Sequence, residues 1–141
     1  MTRSTRVAST GWCTGHCDKN AVVQRVTARV TAATLGRSAN ETEHLHFVEV
    51  GPGQQYGIRH DFAVDQTFTA AGPRVFSANV FLHDAPSGGE LWFPDLGLAI
   101  TPRAGRLVLF ANVKPTDVLA GNGLARHAFR SVGKSTLQRG F

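Results

Sequence analysis

Three side chains in this chain stand out as candidate metal donors: Asp61, its neighbour His60, and the distant His127. The first two lie in Gln55-Tyr56-Gly57-Ile58-Arg59-His60-Asp61-Phe62, which is followed by Gly88-Gly89-Glu90, Phe93-Pro94 and then His127. Two imidazoles and one carboxylate on one side of a metal, with the other side open, is the donor set of a mononuclear non-haem Fe(II) site. Side chains two apart on a strand point the same way, so an imidazole and a carboxylate sharing a strand need the spacing His-x-Asp. Here Arg59 and Asp61 share that face and His60 turns away. A guanidinium stays protonated and has no lone pair for a metal. Two arrangements are open. A β-bulge adds a residue and re-aims His60 inward, eased by Gly57, or Arg59 pairs with Asp61 and the site holds metal weakly if at all.

The elements that must position these residues are short. From His44 onward apolar residues recur with a period of two, giving candidate strands at His44 to Val50, Tyr56 to Ala63, Arg74 to Asp84, Leu98 to Thr101, Arg106 to Ala111, Ala125 to Val132 and Ser135 to Phe141. Gly51-Pro52-Gly53, Ala85-Pro86-Ser87-Gly88-Gly89 and Pro102-Arg103-Ala104-Gly105 separate them as turns. Gly88-Gly89-Glu90 reads as a tight turn, because no helix-forming run follows it to bind phosphate. One helix is expected over Asp18 to Gly36, with Val22, Val26, Val30 and Ala33 on its apolar face, Asp18 capping the start and Gly36 ending it. The fold class expected is mainly β, a double-stranded β-helix or jelly roll with one N-terminal covering helix.

At 141 residues the chain is expected to form a single domain over 1–141, large enough to bury a core without a metal or disulfide framework. The net charge of +5 comes from 15 Lys and Arg against 10 Asp and Glu, spread along the chain rather than clustered with aromatics, which argues against a nucleic-acid partner. No apolar run is long enough for a membrane span, and none follows the opening residues as a secretory leader. The compartment expected is the cytoplasm, or the endoplasmic reticulum lumen for a chain missing its leader. Cys13 and Cys17 are the two cysteines, read as structural, either free or bridged, in preference to a zinc site with His16. His44 and His46 share a strand face and read as exposed polar residues.

The order of motifs resembles the prolyl 4-hydroxylase branch of the Fe(II) and 2-oxoglutarate dioxygenases, from about Arg6 to the end. The pieces are Arg6-Val7-Ala8-Ser9-Thr10, Gly53-Gln54-Gln55-Tyr56, Val80-Phe81-Leu82-His83-Asp84, Gly88-Gly89-Glu90-Leu91-Trp92-Phe93-Pro94, Pro102-Arg103-Ala104-Gly105-Arg106-Leu107-Val108-Leu109-Phe110, His127 and Gly133-Lys134. The resemblance implies Fe(II) held by Asp61, His127 and a third donor, with His60 the candidate. It implies 2-oxoglutarate as co-substrate with its far carboxylate on Lys134, or on Arg139 in its place, and ascorbate as reductant. No catalytic residue beyond the metal centre is implied. The activity implied is hydroxylation of a C–H bond, of a peptidyl proline by family analogy, with succinate and carbon dioxide as co-products, so the partner is a proline-containing peptide or protein. Val50 and Gly140 stand where the family commonly has a tyrosine and a tryptophan, which implies a smaller, less polar pocket. With Arg59, these substitutions also suit a second reading, a degenerate dioxygenase-fold module that binds peptide without metal.

Overall fold

A computed structural model of the chain describes residues 8–34, 41–85, 87–132 and 138–140. In chain order the elements are β1 (Ser9–Trp12), α1 (Ala21–Ala33), β2 (His46–Val50), β3 (Tyr56–Arg59), β4 (Phe76–Val80), β5 (Leu91–Phe93), β6 (Leu98–Ile100), β7 (Leu107–Ala111), β8 (Val113–Lys114), β9 (Asp117–Gly121), β10 (His127–Phe129) and β11 (Gln138–Gly140). The strands form a sheet in the order β3-β10-β5-β6, a second in the order β1-β2-β11, and the pairs β4-β7 and β8-β9. All of these ladders are antiparallel. The mainly-β architecture with one helix is the one expected from the period-two pattern. No helix among the described residues is long and apolar enough to cross a membrane.

The helix is shorter than the sequence suggests and is rotated about its axis. Asn20 caps it, its side chain accepting from the Val22 N–H at 2.9 Å, while Asp18 instead meets His44 at 2.7 Å. The covered stripe runs through Val23, Val26, Thr27, Val30 and Thr31, leaving Val22 and Ala33 exposed. That spacing keeps an i, i+3, i+4, i+7, i+8 rhythm, so the correction concerns which valine leads the stripe. Threonine methyls complete it where alanine was expected. The proposed stop at Gly36 lies outside the described residues. Asn20→Ala is expected to cost about 1 kcal/mol by removing the side-chain acceptor that caps the first turn, read as a small drop in thermal midpoint with no change in the sheet signal.

The core lies between the sheets and is built from Val50, Phe81, Leu91, Phe93, Phe129 and Val132, with Ala8 closing one side. Phe81 meets Phe129 edge to face, with centroids 6.4 Å apart. Left-handed glycines shape two of the turns around it. Gly97 (φ 61°) ends the short 3-10 turn Pro94–Leu96 and lets β5 fold back on β6. Gly105 (φ 78°) donates its N–H to the Phe81 carbonyl at 2.8 Å as the chain enters β7. Gly88 and Gly89 also have positive φ, as a tight turn requires. Cys13 and Cys17 form a disulfide, with Cα atoms 5.1 Å apart and Cys13 buried, so of the alternatives left open the bridged one holds. It ties the end of β1 to the turn that leads into α1.

Candidate metal centre

The site is assembled by the ladder between β3 and β10. Arg59 is the cross-strand partner of His127 and Tyr56 that of Phe129, so β3 places three steps of chain against two of β10. A bulge therefore exists, but it falls at Gly57-Ile58, upstream of the site. Gly57 is not among the glycines with positive φ, so the bulge does not draw on its left-handed freedom. Its effect is to set Arg59, not His60, opposite His127, because directly paired residues project from the same face of an antiparallel ladder.

Asp61 follows on that face. Its Oδ1 lies 3.6 Å from His127 Nε2 and 3.8 Å from Arg59 Nε, and its Oδ2 accepts the Ser77 hydroxyl at 2.5 Å. Asn112, fully buried, donates through Nδ2 to the same hydroxyl oxygen at 2.8 Å. The carboxylate is thus held by a relay reaching across to β4 and to the residue after β7. Neither Ser77 nor Asn112 stood out in the sequence. The register pairs Ser77 with Phe110, a residue packed on the His127 ring, and alternation along β4 is the signal that would have placed Ser77 inward.

His127 is completely buried, and its ring packs against Phe110 and Phe93, with centroids 5.0 and 6.0 Å away. Burial is the largest influence on its pKa and pushes it below the ordinary histidine value, although the Ala125 carbonyl and Asp61 pull the other way. Burial therefore favours the neutral ring. Its Nδ1–H donates to the Ala125 carbonyl at 2.9 Å, which fixes the tautomer and leaves the Nε2 lone pair facing Asp61 with no hydrogen-bond partner. A backbone carbonyl on the far nitrogen is how a metal-binding histidine is usually oriented.

His60 stands outside this group. Its Nδ1 accepts the Phe62 N–H at 2.9 Å, so Nε2 carries the proton and donates to the Asn122 carbonyl at 2.7 Å. Both ring nitrogens are committed to backbone, and the structure brings Asp61 and His127 together without it. Arg59 occupies the remaining place. Its guanidinium lies 3.8 Å over the Tyr56 ring and 5.7 Å from that of Phe129, and Nη1 is buried without a hydrogen-bond partner. Burial lowers the Arg59 pKa and Asp61 partly restores it. An arginine has ample margin and remains a cation.

Among the described residues no group of three or more His, Cys, Asp and Glu side chains is arranged to hold a metal. The carboxylate and the oriented imidazole suit Fe(II); the guanidinium beside them does not. Lys134 lies outside the described residues. Arg139 is on β11, where its backbone pairs with Glu49. His46, read above as exposed, is half-buried and stacks on Trp12 at 4.5 Å, and its pKa is lowered by burial first and then by Arg59 and Arg74. Beyond Phe93 and Phe110 a cavity of about 290 Å³ is lined also by Ile100, Val108, Leu124 and Asn122, with no charged side chain on its wall.

The chain is similar to known proteins in both sequence and fold. The chain is 28% identical over 128 residues to prolyl 4-hydroxylase subunit alpha-1 of Gallus gallus, and 32% identical over 128 residues to subunit alpha-2 of the same organism. These alignments cover 87% and 89% of this chain and 24% and 23% of the relatives, so the chain spans about a quarter of their length. Among solved structures it matches the viral collagen prolyl hydroxylase of Paramecium bursaria Chlorella virus-1, solved as a 2OG complex, with a TM-score of 0.77 and 20% identity over 96% of this chain and 76% of that one. By sequence and by fold the chain is similar to prolyl 4-hydroxylases. A prolyl 4-hydroxylase of Pseudomonas putida also matches, with a TM-score of 0.64 and 19% identity over 99% of this chain and 72% of that one. No protein-family profile matches the chain. The mainly-β, jelly-roll-like fold expected from the strand pattern is consistent with these neighbours, and the described residues of the chain carry one α-helix beside the strands.

Proposed function

We propose that this prolyl 4-hydroxylase-like domain recognises proline-containing peptide and, as the chain stands, does so without iron-dependent hydroxylation. The observation that carries the reading is the Arg59 guanidinium opposite His127, beside Asp61, in the place the sequence pattern reserves for an imidazole. A divalent cation entering there would face a fixed positive charge at close range and would find two donors rather than three. The peptide preference comes from the relatives, which are named as prolyl 4-hydroxylases and, for the viral protein, a collagen prolyl hydroxylase.

One observation favours the hydroxylase reading instead. The His127 Nε2 lone pair is unpartnered and stands 3.6 Å from Asp61 Oδ1, as two ligands of a shared ion would. On that reading the domain would consume 2-oxoglutarate, release succinate and carbon dioxide, hydroxylate a peptidyl proline and depend on ascorbate.

Anaerobic titration with Fe(II) and 2-oxoglutarate separates the two, because the keto acid gives a visible charge-transfer band only when it chelates protein-bound iron. No band is expected, together with saturable binding of a collagen-like peptide of Pro-Pro-Gly triplets in the presence of EDTA. A saturable band would establish the hydroxylase reading and end the metal-free one. A peptide that fails to bind under any condition would remove the recognition role.

A further inference from the structure

We infer that Arg59 is the site's own cation: its guanidinium takes the electrostatic role a metal has between Asp61 and His127, and a single exchange to histidine turns the same pocket into a divalent-metal site. The inference rests on the reading that the site is metal-free, but peptide recognition can be present or absent whichever way it is decided.

Geometry carries the first half. Asp61 Oδ1 is the point where Arg59 Nε, at 3.8 Å, and His127 Nε2, at 3.6 Å, converge. Arg59, a permanent cation, supplies the positive charge at that oxygen. The carboxylate is largely removed from solvent, with 23% of its side chain exposed, and an unbalanced charge there would be costly. The guanidinium is also supported from below, lying 3.8 Å over Tyr56 with Phe129 beyond. Aromatic faces attract a cation, and the bulge in β3 is what brings Tyr56 onto that face.

The second half follows from what surrounds Arg59. The supports of a metal site remain in place: Ala125 orients His127, Ser77 holds Asp61, and Asn112 holds Ser77. Such outer partners are needed to aim ligands at an ion, and a salt bridge alone does not require them. Arg59 is not wired into its surroundings in the same way. Its Nη1 is buried with no acceptor, so the guanidinium fills the place more than it is bound there. Imidazole is smaller than guanidinium. From position 59 it would share the face of Asp61 and His127 and complete a two-imidazole, one-carboxylate set.

The test uses the whole chain and reads thermal unfolding with EDTA and with Mn(II). Wild type should give the same midpoint in both. Arg59→His should unfold several degrees lower in EDTA and recover on adding Mn(II), with Mn(II) bound at least a hundredfold more tightly than by wild type. Adding His127→Ala to Arg59→His should abolish the recovery, which distinguishes the site from surface histidines. Arg59→Lys and Arg59→Gln keep the experiment decisive if the histidine variant folds poorly: lysine should hold the wild-type midpoint and glutamine should not. A wild-type midpoint that rises with Mn(II), a folded Arg59→His that ignores it, or equal midpoints for the lysine and glutamine variants would each overturn the inference.

Discussion

Phe81→Ala is expected to lower stability by about 3–5 kcal/mol, the range for removing a large aromatic side chain from a closed core. Phe81 is 1% exposed and packs with Leu91, Phe93, Phe129, Val50 and Val132. Its backbone cannot relax into the space vacated, because its N–H donates to the Arg106 carbonyl at 3.0 Å and its carbonyl accepts from Gly105 at 2.8 Å. A cavity that cannot collapse loses both the transfer free energy and the dispersion contacts of its walls. Domains of this size hold only about 5–15 kcal/mol in total, so the variant should be marginal at room temperature. Urea unfolding with an unchanged slope would show the loss directly. A loss under about 1 kcal/mol would mean that the cluster around Phe81 is not the core.

Asp61→Ala is the second large effect, expected to cost about 2–4 kcal/mol. Removing one member of a buried ion pair leaves its partner charged and desolvated, which costs about 3–5 kcal/mol when burial is complete. The figure is reduced here because the two side chains keep 28% and 23% exposure and meet at 3.8 Å. Ser77 also loses the acceptor for its hydroxyl proton, although its oxygen still accepts from Asn112 Nδ2. The double variant Arg59→Met with Asp61→Ala should recover at least half of the loss, because it removes both charges together. Chemical denaturation of the four members of this cycle measures the coupling. A double variant no better than Asp61→Ala would place the cost in the Ser77 relay and not in the ion pair.

Much of the architecture was legible because period-two patterning and turn residues act locally. Each run read as a strand contains one, from His46–Val50 to Gln138–Gly140. The strands that escaped notice are short or have weak alternation: Ser9–Trp12 carries a serine, a threonine and a glycine, Leu91–Phe93 has three residues, and Val113–Lys114 and Asp117–Gly121 make a small hairpin. Their strand character comes from a partner across the ladder, which composition does not reveal. The helix stripe was misplaced for a related reason. Several valines compete on hydrophobicity alone, and tertiary packing decides which of them is covered. At the site, sequence order placed Asp61 and His127 near one another, and Arg59 was recognisable as the anomaly. The side to which His60 turns was not legible, because it depends on hydrogen bonds to the backbone of Phe62 and of Asn122, the latter brought close only by the completed fold.

The bulge at Gly57-Ile58 has a bearing on how this strand tolerates insertion and deletion. Loss of one residue there would restore regular pairing upstream while leaving Arg59 opposite His127 and Asp61 two positions on. Tyr56 would stay opposite Phe129, now two positions from Arg59 and on its face by ordinary strand alternation. Loss of a residue at the bulge would therefore spare both the charged pair and the aromatic shelf beneath it, so the extra residue in this strand is one that the seating of the guanidinium does not require.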